Sequence, residues 1–267
     1  MTFQPVIVGS GIAGWNFLQR TYESQFETFS KTAQISRDVD YFQENIGDVK
    51  SAEALVSDRR LLSVALGAFG LRHDLNNTYF IRKILEDGTV SDDALANRLT
   101  DDRYKRFSAA FGFGPAELNT TSDPRKMSTI ADEYKIQSFE VSVGEQDDTM
   151  RIAMFAQREL TSLAAENMSD EAKWFTLMGL PPLRTMFETA LGLPASFGQI
   201  DIDQQHEILR EKTRSVTGDD TVTQFSKKAN VERMTQLFLA RSQIAASRNA
   251  ASANANALTL LQSAFAR

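Results

Sequence analysis

Val6-Ile7-Val8-Gly9-Ser10-Gly11-Ile12-Ala13-Gly14 is the stretch on which the fold turns. Three apolar residues followed by G-x-G-x-x-G could open a dinucleotide-binding fold. There the glycines form a tight turn, the pyrophosphate meets a helix N-terminus, and an acid about 20 residues on holds the ribose. The residues after Gly14 do not supply that context. Residues 30–40, SKTAQISRDVD, contain no apolar strand ending in an acid, and bulky Trp15 and Phe17 come directly after the glycines. The spacing also fits G-x-x-x-x-G, but Trp15 stands where a phosphate loop needs Lys. The stretch therefore reads as a leader over 1–13 ahead of a long helix, and no cofactor is expected.

Working outward, apolar residues recur at helical intervals. Trp15, Leu18, Tyr22, Phe26 and Phe29 alternate steps of three and four, which places them on one helix face. Val39, Phe42 and Ile46 continue the pattern, with Gly47 as its stop. Ser51 opens a helix running through Leu55, Leu61, Leu66 and Phe69 to Gly70, and Asn76-Asn77 caps the next. Ser91-Asp92-Asp93 starts another. Ser122-Asp123-Pro124 reads as an N-cap with Pro just inside. Glu140–Val143 alternates apolar and polar residues as a short strand would. The wider spacing of Tyr134, Phe139 and Val143 predicts helix instead. Asp148–Glu166 is helical, and Pro181-Pro182 and Gly192-Leu193-Pro194 are breakers.

The fold class is therefore all-α and multihelical. A leader spans 1–13 and a multihelical domain 14–232, with a subdivision point near 115–125. A C-terminal helix occupies 233–267. A weak internal repeat runs through the middle. Leu55–Leu71 aligns without gaps to Leu177–Leu193, and Leu99–Phe113 looks like a shortened third copy. Each ends with an aromatic residue or Leu followed by Gly, which also fits shared helix-ending grammar.

Composition narrows the function classes. The chain has 267 residues, 42% of them hydrophobic and 24% charged, which fits a folded protein. Its net charge of −6 disfavours a bulk nucleic-acid binder. With no cysteine there are no disulfides, thiolate nucleophiles or thiolate metal sites. No classical signal peptide or membrane-spanning run stands out, so cytoplasmic residence or export without a cleaved signal is expected, with no membrane insertion. The two histidines, His73 and His206, form no metal-binding pair, and Asp201-Ile202-Asp203 lacks the Gly and closing Glu of a calcium loop. No nucleophile elbow occurs. Doubled acids such as Asp92-Asp93, Asp101-Asp102, Asp147-Asp148 and Asp219-Asp220 read as helix caps or solvated faces. No catalytic, cofactor or metal residue is assigned, and the chain reads as a non-enzyme. The sequence leaves an enzyme with an unrecognised carboxylate pair as an open alternative.

The last 35 residues, from Arg233 to Arg267, carry four Arg and no acid. Leu237, Ile244, Ala251, Leu258 and Phe265 recur every seven residues and Leu261 adds a further contact, a heptad stripe. The Ala- and Asn-rich centre makes this helix marginal alone, so it is expected to seek a partner helix.

Several stretches in order carry a family resemblance. They include Gly14–Thr21 (GWNFLQRT), Leu55–Leu62 (LVSDRRLL), Ala68–Leu71 (AFGL), Phe80–Lys83 (FIRK), Phe139–Gln146 (FEVSVGEQ), Ala190–Pro194 (ALGLP) and Asp201–Gln205 (DIDQQ). Together they resemble the alphaproteobacterial family called domain of unknown function 1217. That resemblance implies a multihelical fold without established enzymatic activity. It also implies a role in motility, since members are often encoded among flagellar genes. The chain ends, stepping by sevens at Trp15/Tyr22/Phe29 and Leu237/Ile244/Ala251/Leu258/Phe265, are more weakly similar to flagellar axial proteins, whose terminal helices pair. The expected partners are flagellar proteins, with self-association through the terminal helices as a variant. The expected role is an interaction or assembly protein, and an export chaperone or regulator is the alternative.

Overall fold

The computed structural model describes residues 3–265, and the surroundings of side chains as far as Arg248. Thirteen α-helices and four 3-10 turns make up the described residues, with no strand among them. In chain order the helices are α1 (Gly11–Ser30), α2 (Ala33–Asn45), α3 (Ala52–Ser57), α4 (Arg59–Ala68), α5 (Thr78–Asp87), α6 (Leu95–Arg98) and α7 (Arg103–Phe111). They continue with α8 (Pro124–Gly144), α9 (Asp148–Ala165), α10 (Asp170–Gly179), α11 (Pro181–Leu191), α12 (Ile202–Thr217) and α13 (Lys228–Phe265). The all-α reading holds. Val6–Val8 form no strand, and the glycine stretch leads straight into α1.

Short polar side chains set several of the helix starts. Ser51 accepts from the Ala54 amide, Asp147 from Thr149, and Asp201 from Asp203. Asp123 accepts from the amides of Arg125 and Lys126, with Pro124 in the first turn where no amide donor is needed. The single helix expected from Ser51 to Phe69 is in fact two. Asp58 sits in extended backbone and caps α4 through the amides of Arg60 and Leu61, which breaks the run. The helix expected from Ser91 shrinks to the single turn of α6. Asn77 precedes α5 but its side chain makes no capping bond, and its NH2 donates to Asp74 at 2.6 Å. Glu140–Val143 lies inside α8, where Phe139 and Val143 are buried and Val141 is exposed.

Two of the repeated segments end in the same way. The Leu71 amide donates to the Leu66 carbonyl and Gly70 to Gly67, while Leu193 donates to Glu188 and Gly192 to Thr189. Gly70 and Gly192 both have positive φ, 69° and 68°. This is the closure in which a left-handed residue lets the chain fold back onto the last turn. The third copy differs, since Gly112 donates four residues back, to Ser108.

Contacts divide the chain into two compact units. The first holds Arg20–Gln146, Met178–Pro181 and the N-terminal residues through Val6. In it α4 crosses α8 closely. A Cβ on Gly67 would lie 2.7 Å from the Tyr134 ring, so only glycine fits that crossing. Burial pushes the Tyr134 hydroxyl up to about 12, and that hydroxyl donates to Asp38 at 3.1 Å. Phe139 is surrounded edge-on by Tyr22, Phe26 and Phe29. The same unit contains a solvent-open depression of about 470 Å³ with Arg37, Arg72 and Glu145 among its lining residues.

The second unit holds Ile7–Gln19, Asp147–Leu177 and the chain from Pro182 onward. Here α13 packs on α9 and on the 3-10 turn Val222–Ser226. Fully buried Trp174 donates its indole N–H to the Asp220 carbonyl at 3.0 Å. Lys173, 5% exposed, has its ammonium within hydrogen-bond distance of the Ala164 carbonyl in the last turn of α9 and of the Thr223 hydroxyl. A cation at a helix C-terminus is favoured by the helix dipole.

Candidate functional site

The site is built where the start of α1 meets α13, inside the second unit. The glycines that resemble a nucleotide loop do a different task here. Gly9 and Gly11 have φ of +88° and +55°, backbone that L side chains rarely adopt. A Cβ on Gly14 would lie 2.8 Å from the Gly9 carbonyl, and one on Gly11 would lie 2.3 Å from Oε1 of Gln243. The glycines therefore let the chain turn into α1 and let that turn lie directly against α13.

Along α13 the buried face is Val231, Met234, Thr235, Phe238 and Leu239. Past Leu239 no described residue of the helix is buried. Beyond that point lies a groove of about 580 Å³ lined by Ile12 from α1 and by Ala240, Gln243, Ile244, Ser247 and Arg248 from α13. Taking Leu237 and Ile244 as heptad position a, Ala240 and Ser247 are d, Gln243 is g and Arg248 is e. The lining is thus the seam that a partner helix would occupy in a coiled coil. Ile12 and Ile244 are 38% and 51% exposed. The α13 backbone continues as helix to Phe265.

Of the stripe read from sequence, Ile244 lies in this groove and Leu237 is half-buried outside its lining. The side chains of Ala251, Leu258, Leu261 and Phe265 lie outside the described residues. The N-terminal stripe is not a free face. Trp15 and Phe29 are 5% and 7% exposed, and Tyr22 stacks on Phe26. Besides Ile244, none of the lining residues was singled out from sequence, and Ile12 is the one among them that comes from a different helix. Within a glycine-rich stretch it carries no periodic signal of its own, and only the approach of α13 reveals it.

The ionisable groups take mostly structural roles. Asp58 caps α4 with one oxygen and accepts from the Tyr41 hydroxyl with the other at 2.6 Å, while Arg60 stacks over the Tyr41 ring. Burial opposes the Asp58 charge, but the bonds from Tyr41, Leu61 and Arg60 and the Arg60 charge together lower its pKa. Asp101 pairs with Arg103, and Asp219 accepts from Thr221, whose amide and hydroxyl hold its carboxyl below the usual range. His206 is buried against Trp174 and Phe175, whereas His73 is exposed beside Asp74. Among the described residues no group of three or more His, Asp or Glu side chains is placed to hold a metal. No described helix is long and apolar enough to cross a membrane.

The chain falls in a known family of proteins. The model of a family described as protein of unknown function (DUF1217) matches residues 68–231, more than half of the chain. The chain is a member of that family. Its fold is similar to the X-ray crystal structure of protein AGR_C_984 from Agrobacterium tumefaciens, a structural genomics target. That chain is 23% identical, the TM-score is 0.71, and the match covers 90% of this chain and 96% of that one. No curated protein matches.

Proposed function

We propose that the protein is a non-enzymatic interaction or assembly factor of the flagellum that works through helix–helix contact along α13. The observation that carries this reading is the open groove at Ile12, Ala240, Ile244 and Ser247. It presents coiled-coil seam positions to solvent on a helix that has no buried side chain among its described residues past Leu239. A seam without a partner helix leaves apolar surface in water, and covering it is favourable by roughly 25 cal/mol per Å². The flagellar setting comes from the family resemblance and from the weaker similarity of the chain ends to flagellar axial proteins.

The test is a deletion strain scored for swimming and for filament formation, complemented with the parent gene or with variants. Deletion and the Leu237→Asp/Ile244→Asp/Leu258→Asp variant should both impair motility. The single change Ile244→Asp, at a half-exposed position, should impair motility while leaving the melting curve of the purified protein unchanged. Normal swimming by all of these strains would overturn the proposal.

A further inference from the structure

The groove has a charge character that says what would fill it. All 35 acidic residues of the chain lie between Glu23 and Glu232, so residues 1–22 and 233–267, which supply every lining residue of the groove, contain no acidic side chain. The α1 wall belongs to a segment whose only ionisable side chain before Glu23, apart from tyrosine, is Arg20. Residues 233–248 of α13 carry Arg233, Arg241 and Arg248. Arg248 lines the groove. Arg241 leans over Gly192 at the end of α11, close enough that its Nη1 would collide with any Cβ there. Neither Arg241 nor Arg248 has a carboxylate partner among the described residues. A chain of net charge −6 thus presents one apolar groove walled only by neutral and basic residues.

Resting on the reading of α13 as an interaction helix, we propose that the occupant of the α1–α13 groove is an acidic amphipathic helix of a partner protein. Its apolar stripe packs on Ile12, Ala240 and Ile244, and its Glu or Asp residues flank that stripe to meet Arg248 and the basic arm. Charges beside a coiled-coil seam decide which helices pair. The same rule disfavours a second copy of this arm, because Arg241 and Arg248 at e would face uncharged g residues in a parallel pair and each other in an antiparallel one, with nothing in either to neutralise them. Gln243 cannot supply that neutralisation, since it is uncharged and its side chain is packed against Gly11.

The experiment uses the full chain and two designed helical peptides of three heptads. Both carry Leu at the seam positions, and Glu or Lys stands at the flanking positions of one or the other. Binding is followed by fluorescence anisotropy of the labelled peptide. The Glu peptide should bind at least about tenfold more tightly than the Lys peptide, although the net charge of the protein favours the Lys peptide. The preference should shrink as salt rises from about 0.05 to 0.5 M, because screening shortens the reach of surface charges. Arg248→Glu should reverse or abolish it, and Ile12→Asp or Ile244→Asp should weaken both peptides.

Equal binding of the two peptides, still lost in Ile244→Asp, would overturn the acidic-partner inference and leave the groove as an interaction surface. Dimers of the parent chain in sedimentation velocity that dissolve in Ile244→Asp would also overturn it, by making a second copy the occupant. Binding of neither peptide, together with normal swimming of the Ile244→Asp strain, would remove the proposed function as well.

Discussion

Replacing Gly11 with Ala tests how the start of α1 is seated on α13. The residue has φ of +55°, where an L side chain costs roughly 1–2 kcal/mol. The new Cβ would stand 2.3 Å from Oε1 and 2.9 Å from Cδ of Gln243. Gln243 is exposed and its side chain is flexible, so it can swing away, but off-rotamer settings cost about 0.5–1.5 kcal/mol. Against this, alanine narrows the unfolded ensemble and returns about 0.4–1 kcal/mol. The net expectation is a loss of about 1–2 kcal/mol in the second unit. Both tryptophans, Trp15 and Trp174, lie in that unit and are buried, so indole fluorescence during urea unfolding reports on it. Gln243→Ala in the same chain removes the collision but not the backbone strain. The double variant should therefore recover about 0.5–1 kcal/mol over Gly11→Ala alone. A Gly11→Ala protein as stable as its parent would refute the left-handed seating of Gly11. A double variant no better than the single would refute the contact with Gln243.

Substitutions at three further positions probe the packing. Asp58→Ala removes the cap of α4 and the acceptor of the Tyr41 hydroxyl, and should cost about 2 kcal/mol in urea unfolding, roughly half from each. Because the folded-state pKa of Asp58 is lowered, its contribution is present above the unfolded carboxylate value of about 3.9 and is lost as pH falls through the folded value. The difference between parent and Asp58→Asn should accordingly shrink on acidification. Gly67→Ala should lose about 1–2 kcal/mol by chemical denaturation, since collision with the Tyr134 ring outweighs the helix propensity gained. Lys173→Met, which keeps the apolar stem but strips the donor from the Ala164 carbonyl, should cost about 1–3 kcal/mol on the same denaturation curve.

The helix class was legible because its signal is local. Trp15, Leu18 and Phe29 are buried at the spacing that predicted a helix, and Asp123, Asp147 and Asp201 are caps whose chemistry acts within three residues. The break at Asp58 was missed for a complementary reason. Leu55, Leu62, Leu66 and Phe69 keep helical spacing on both sides of it, and only the carboxylate's capping of α4 interrupts the helix. Asn77 stands at the start of α5 but makes no capping bond; its NH2 donates to Asp74, three residues earlier, whereas a cap needs its oxygen to accept from a backbone N–H.

By itself, the sequence determined an all-α protein with a glycine-rich entry and an acid-free basic arm, because helical periodicity, capping and charge are written residue by residue. The tertiary structure alone decided which apolar residues stay in water. Tyr22 and Ile244 both belong to stripes of sevens, yet the first stacks among Phe26 and Phe139 while the second lines an open groove. Periodicity fixes which side chains share a helix face. What that face meets depends on segments far away in the chain, here the turn at Gly11 that carries Ile12 to α13.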